Sequence, residues 1–394
     1  MRLGKKWLVL LVVCLVFLLA GCALNAEPSS PSAEDETAYT LPMLLPMTGT
    51  ISNLGEDALW AAKYAVDEIN KAGGINGIPV NIDLYDSQNN EKQVARSARD
   101  ISGRNRFFIG PIDSVGTAAE AEVIAETGTP NIAAYSFASL RKDIAPYGIS
   151  YMSDTAEGEL EAVRQWKYLN PDIEKVAVIV NKNENSQMDT VEALRDYLTE
   201  LNMSVCAVVE MDPADDKGLE AAADALNAKA DGYIVLTRSD EYGVIVSELR
   251  KRGVSEGRRI TASFASNDYD LIRSNREVME GTYIWNKFDV AYQGTEWQAL
   301  LGQYREDHNG EDPNTNIVPD IYNAVYAWKQ CIEDLGLEPD AEDLKAEKEE
   351  ITEWFMESPV LHGIQGDYQW SDGNKKGKVY YFQIDENGVP KSLN

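Results

Sequence analysis

The chain is 394 residues long, enough to bury two cores of ordinary size, so two domains are the expectation. It carries 36 Lys and Arg against 65 Asp and Glu, a formal charge of −29, which argues against a nucleic-acid partner and against docking on anionic lipid through charge. Two histidines and four cysteines leave few residues for metal or thiol chemistry.

Arg2, Lys5 and Lys6 form a basic segment, and Trp7 to Leu19 is an apolar stretch too short to span a bilayer comfortably. It ends in Leu19-Ala20-Gly21-Cys22, which resembles the lipobox of bacterial lipoproteins. That resemblance implies a signal peptide over 1–22, acylation of Cys22 and attachment to a membrane through that lipid; an ordinary signal peptide is the other reading. Loss of the three basic residues takes the charge from −29 to about −32. Residues 23–38 are rich in Pro, Ser and acids and lack an apolar period, so they read as a disordered tether with a reach of roughly 20 Å. The predicted location is extracytoplasmic and lipid-anchored. It is the outer face of the plasma membrane, or the periplasm where a second membrane is present.

Leu41 to Met47 reads as a buried strand, followed by the turn formers Thr48 to Asn53. Ala58, Ala61, Ala62, Ala65, Val66 and Ile69 recur at helical spacing, and Gly73-Gly74 supplies a left-handed stop. Asn76-Gly77 then turns the chain into a strand over Ile78 to Tyr85. In such βαβ units ligands bind beyond the carboxyl ends of the strands, which makes the Thr48 to Asp57 loop a candidate binding element. A helix over Glu91 to Ser102, a strand at Phe107 to Ile109, the loop Gly110 to Thr117 and a helix over Ala118 to Thr127 continue the rhythm. Ser114 or Thr117 either caps that last helix or offers a hydroxyl beside its free N–H groups to an acceptor. The strand Pro130 to Ala134 and the loop Tyr135 to Ser139 complete a first α/β series.

A second series follows. Helical Glu157 to Leu169 precedes the β-branched strand Val176 to Val180, a polar loop from Asn181 to Gln187 and a helix over Met188 to Leu201. Met203 to Val209 and Gly232 to Leu236 are strands on either side of the helix Gly218 to Ala228, and the loop Thr237 to Tyr242 opens another helix. Ile260 to Phe264 and Thr282 to Trp285 are further strands, and helices over Glu296 to His308 and Pro319 to Leu335 follow. The charged stretch Glu338 to Glu350 reads as the solvated face of a helix ending at Trp354-Phe355. Two strand-like runs at Tyr368 to Trp370 and Val379 to Ile384 flank a hairpin-like turn at Ser371 to Asn374. For Cys206 and Cys331, buried free thiols and a disulfide are both open readings.

The phrase P-M-T-G, then the helix A-V-D-E-I-N-K-A-G-G-I-N-G-I-P-V and D-S-Q-N-N, all within Pro46 to Asn90, resembles the solute-binding proteins of branched-chain amino acid ABC importers, the periplasmic-binding-protein type I superfamily. The Gly110 to Thr117 loop, the Val176 to Val180 strand, Pro319 to Ala324 and Gly363 to Asp385 are similar to later elements of that family. The resemblance implies an α/β fold of two Rossmann-like lobes, parallel sheets flanked by helices and joined by a three-segment hinge. One lobe would be 39–152 plus 284–358, the other 153–283 plus 359–394.

It also implies a binding protein and not an enzyme: a monomer without a cofactor that closes on a small-molecule ligand and serves ABC permease and ATPase subunits. The ligand-facing residues implied are Asn53, Leu54, Asp57, Ser114, Thr117, Ala134, Tyr135, Ser136, Phe137, Asn185, Arg238, Glu241 and Trp285. Ser114 would meet a ligand carboxylate with help from Ser136 or Phe137, and Glu241 would take an ammonium. Three departures from the family pattern fall in the pocket: Leu54 where several members have an aromatic, Asp113 where one subgroup has a cysteine, and Asn181 to Ser186 without the usual Tyr. They point to a small polar ligand (an amino acid, amide or small carboxylate) in place of an apolar amino acid.

An enzyme finds little support: His308 and His362 lack partners at metal-ligand spacing, and neither a nucleophile elbow nor a P-loop is present. A sensor module that presents its closed state to a receptor would use the same cleft.

Overall fold

The computed structural model describes residues 37–133, 141–150, 155–183, 185–214, 218–263, 269–313, 315–371 and 374–393. The chain opens with β1 (Tyr39–Leu45), α1 (Ser52–Lys71), β2 (Val80–Asp86), α2 (Glu91–Ser102), β3 (Phe108–Ile109), α3 (Ser114–Thr127), β4 (Asn131–Ala133), the short α4 (Arg141–Ile144) and β5 (Gly148–Ser150). The second series is α5 (Thr155–Leu169), β6 (Lys175–Asn181), α6 (Asn185–Glu200), β7 (Ser204–Met211), α7 (Leu219–Asn227), β8 (Gly232–Leu236), α8 (Ser239–Lys251), β9 (Ile260–Ala262), α9 (Tyr269–Ser274), α10 (Arg276–Met279) and β10 (Tyr283–Asn286). The remainder is α11 (Thr295–Asp307), α12 (Ile317–Leu335), α13 (Leu344–Met356), β11 (Leu361–Gly363), β12 (Gly366–Ser371), β13 (Asn374–Lys376), β14 (Tyr380–Ile384) and β15 (Pro390–Ser392).

Two sheets result. One runs β11-β12-β13-β5-β4-β3-β1-β2, the other β15-β14-β10-β9-β8-β6-β7. The strands of each α/β series pair in parallel. Parallel strands covered on both faces must be apolar on both, and the side-chain alternation shows it. Leu41, Met43 and Leu45 of β1 join a core with α1, α11, α12 and α13, while Leu44 joins the opposite one with α2 and α3. In the second sheet Val176, Val178 and Val180 face α5 and α6, whereas Ala177 and Ile179 face α7 and α8.

The chain passes between the sheets three times: from β5 to α5, from β10 to α11 and from β13 to β14. This is the expected pair of lobes with a three-segment hinge, but the crossings fall elsewhere than the sequence suggested. Tyr283–Asn286 lies wholly in the second sheet, and Leu361–Lys376 belongs to the first although 359 onward was expected in the second. The cause is the antiparallel pairing of β12 with β13. That pairing sets β13 beside β5 at Asn374↔Ser150, while Tyr380–Ile384 pairs with β10. Cys331 is a buried free thiol; Cys206 is also free but exposed, against the expectation of burial.

Candidate functional site

The carboxyl ends of β1 and β3 in the first lobe, and of β6 and β8 in the second, carry the loops that the sequence singled out. The loop after β1 is held from its neighbour. Asp86, the last residue of β2, accepts from Met47 N (3.0 Å), Thr48 N (3.2 Å), Thr48 Oγ1 (2.8 Å) and Gln88 N (2.8 Å). Partial burial pushes its pKa up, but these donors outweigh that and hold the carboxyl below its ordinary range. Helix α1 begins against this loop with no room to spare, since a Cβ on Gly55 would lie 2.3 Å from Pro46 O.

Of the predicted residues here, Asn53 is exposed near the helix start and Leu54 is partly buried against the first core. Asp57 points elsewhere: Tyr304 Oη of α11 donates to it at 2.9 Å, and His308 Nε2 is 4.0 Å away. Burial raises the Asp57 pKa, with the Tyr304 bond opposing the shift.

The loop after β3 leads into α3, which Ser114 opens. Neither Ser114 nor Thr117 caps it. Asp113 does, accepting from Gly116 N at 2.7 Å. Thr117 is fully buried and its hydroxyl donates back to Asp113 O at 2.8 Å, the usual way a threonine satisfies itself in a first turn, so it is no ligand-facing group. Behind the loop, Asn131 Nδ2 donates to Gly110 O and to Glu120 Oε1, both at 2.8 Å. Glu120 is fully buried, and burial drives its pKa well up; burial also raises that of Asp113. The carboxyl oxygens Glu120 Oε2 and Asp113 Oδ2 are buried without a hydrogen-bond partner. A neutral, protonated Glu120 is the form that suits such a place.

In the second lobe Asn185 opens α6, and Arg238, exposed, is the N-cap of α8. Glu241, in the first turn of α8, folds back onto that N-cap. Its Oε2 accepts from Arg238 N (3.0 Å) and its Oε1 from Asn181 Nδ2 (2.9 Å), with Asn181 itself buried at the end of β6.

Trp285 is a correction. It is 0 % exposed within the second core, and its ring fills the space that Gly158 of α5 leaves: a Cβ there would sit 2.2 Å from Trp285 Cη2. Ala134, Tyr135, Ser136, Phe137 and Cys22 lie outside the described residues.

Sequence reasoning missed Asp86, although it could have been found as a polar residue closing a strand, and it placed Asn181 in a pocket loop without giving it a role. Glu120 gave no signal, because a glutamate in an alanine-rich helix reads as surface. Among the described residues no group of His, Cys, Asp and Glu could hold a metal ion, and no helix is long and apolar enough to cross a membrane.

Residues 38–389 match the family described as periplasmic binding protein. A stretch of 90 residues is 37% identical to the Leu/Ile/Val-binding protein BraC3 of Rhizobium johnstonii, covering 23% of this chain and 24% of that one. A longer stretch of 217 residues is 24% identical to the leucine-, isoleucine-, valine-, threonine- and alanine-binding protein of Pseudomonas aeruginosa, covering 53% and 50%. The matches thus span a quarter to a half of these relatives.

Among solved structures, a putative branched-chain amino acid ABC transporter protein from Rhodospirillum rubrum superposes with a TM-score of 0.76 at 18% identity, covering 90% of this chain and all of that one. The branched-chain amino acid binding protein LivJ of Streptococcus pneumoniae, in complex with isoleucine, gives 0.70 at 19% identity, covering 90% and 98%. A solute-binding protein of Rhodopseudomonas palustris in complex with 3,4-dihydroxybenzoic acid gives 0.69 at 14%, covering 89% and 94%. Two neighbours of one fold thus hold different ligands, isoleucine and 3,4-dihydroxybenzoic acid.

Proposed function

The chain belongs to the periplasmic binding protein family, and from that premise we propose that it closes its two lobes over a small polar ligand and delivers it to an ABC importer. The ligand class is an amino acid, an amide or a small carboxylate. Cys22 carries the lipid that tethers the protein outside the cytoplasm, and its partners are the permease and ATPase subunits. The protein works as a monomer and a carrier, not as an enzyme.

The arrangement of Glu241 carries this reading. A buried carboxylate fixed from both sides by Asn181 Nδ2 and Arg238 N, at the carboxyl end of the second sheet, is preorganised to accept a donor such as a ligand ammonium or amide. Opposite in role is the start of α3 in the first lobe, where backbone N–H groups and Ser114 would meet an acceptor. Closure brings two such half-sites onto one molecule, and a ligand that prefers the closed state shifts the population toward it.

Thermal shift across amino acids, amides and small acids tests the proposal. A ligand at a hundred times its Kd should add about 2.7 kcal/mol to folding stability, and Glu241→Gln should weaken binding of an ammonium-bearing ligand by tenfold or more. If no member of the panel raised Tm, the ligand class would be wrong. Loss of uptake of the same compound on deleting the gene tests the importer role separately.

A further inference from the structure

Two of the three crossings between the lobes leave the second lobe side by side. Asn286, the last residue of β10, pairs with Tyr380, the first of β14. The second crossing runs on from Asn286 into the first lobe, where Phe288 is buried in the core and packs edge-on against Trp297, ring centroids 6.2 Å apart. The third runs from β13 over 377–379 to Tyr380. The first, over 151–154, lies outside the described residues. A hinge bends at the few residues that absorb the change in φ and ψ, so whatever grips these short segments decides how the lobes move.

Gln365 grips both. It sits in the two-residue turn between β11 and β12, closed by the pairing of Gly363 with Gly366. The turn is fixed to the first lobe. Ile364 N donates to Asn323 Oδ1 of α12 at 2.8 Å, Tyr368 Oη donates to Asn323 O at 3.0 Å, and Ile364 is buried in the first core. From there the Gln365 side chain reaches the second crossing: Asp289 N donates to its Oε1 at 2.8 Å, and its Nε2 donates to Asp289 O at 2.9 Å. With Phe288 in the core and the Asp289 main chain clamped, flexing of this crossing is confined to the join between Asn286 and Phe288. The main chain of the same glutamine reaches the third crossing. Tyr380 Oη, on a side chain only 2% exposed, donates to Gln365 O at 2.8 Å. Tyr292 packs edge-on against the Tyr380 ring, centroids 6.4 Å apart, and touches the cores of both lobes.

We propose that Gln365 is the coupling residue of the hinge: it clamps the second crossing through its side chain and holds the third through its carbonyl, so that the two bend as one joint. Asn286 and Tyr380 move with the second lobe, Gln365 and Asp289 with the first, and the Tyr380–Gln365 bond therefore spans the joint. A hydrogen bond tolerates only about 0.5 Å of stretch. A change of angle that carries Tyr380 further from Gln365 breaks it and takes a buried hydroxyl from its acceptor, which restrains the lobes. This restraint acts at the hinge and not in the cleft, so the proposal does not depend on what the cleft binds.

Double electron–electron resonance between nitroxides at the far edges of the two sheets reads the interlobe distance with no ligand present. Cys206 of β7 is an exposed free thiol and serves as one site; Asn81→Cys, exposed on β2, is the other. The full-length chain carries Cys14→Ser and Cys22→Ser, and Cys331 is buried away from the label. Gln365→Ala cuts the clamp on Asp289 but keeps the carbonyl that Tyr380 uses, whereas Tyr380→Phe cuts only the bond to that carbonyl. Each should widen the distance distribution and raise the fraction outside the native peak about threefold or more. The double variant should be no wider than the wider single one, since cutting either leg already uncouples the joint. Gln365→Glu, which keeps the acceptor for Asp289 N and lacks the donor to Asp289 O, takes the place of Gln365→Ala if that variant does not melt cooperatively. Native widths in both single variants overturn the proposal, as does widening in only one of them. Additive widening in the double variant overturns it too, because the two contacts would then act independently.

Discussion

Glu120 shows what a single buried group does to pH dependence. Its carboxyl is protonated to higher pH in the folded chain than in the unfolded one, because burial raises its pKa. Between the ordinary glutamate range and that raised value the folded state binds more protons, so its stability is greatest at low pH and falls as pH rises. Asp113 shifts in the same direction and its charge adds to the Glu120 shift, so a Glu120→Gln variant removes the Glu120 titration together with its coupling to Asp113. The variant should match the native chain near pH 4 and exceed it by about 1–3 kcal/mol at neutral pH, since an amide carries no charge to leave unsatisfied. Chemical denaturation at several pH values measures this, and parallel curves would sink the idea. Residue identity was the least legible level of the sequence. Thr117 and Trp285 have chemistry that suits a ligand pocket, yet one satisfies its own helix turn and the other fills a glycine's gap in a core. Only the packing around a side chain separates those roles.

At the scale of elements the pattern of the chain was far more informative. The alanine spacing of α1 appears as the buried positions Ala58, Ala61, Ala62, Ala65, Val66 and Ile69, and Gly73 and Gly74 both take positive φ. The helix over Glu91–Ser102 has the bounds its sequence suggested. Misjudged starts have a local cause: α3 begins four residues before Ala118 because Asp113 supplies the cap. The β1–α1 junction gives a prediction of its own. A methyl group on Gly55 meets the Pro46 carbonyl, so Gly55→Ala should cost about 1–3 kcal/mol through displacement of the helix. The urea midpoint should fall with an unchanged m-value; an unaltered midpoint would mean that the junction yields freely.

For the whole molecule, the two-lobe plan was legible in the repeated strand–loop–helix rhythm, but the assignment of the final strands was not. That depends on pairing between residues as distant as Asn374 and Ser150, or Gln383 and Tyr283, which no local pattern encodes. The exchange of strands carries over to biosynthesis. As the chain emerges, the first lobe lacks β11, β12 and β13 and the second lacks β14 and β15 until the last few dozen residues are made, so the open strand edges of both persist throughout elongation. A chain ending at residue 360 should accordingly show no cooperative melting transition in calorimetry, and a sharp transition from that fragment would demonstrate a lobe that folds by itself. The protein must reach its final residues before either half can be finished, and aids that keep a nascent chain from aggregating would act on both halves at once.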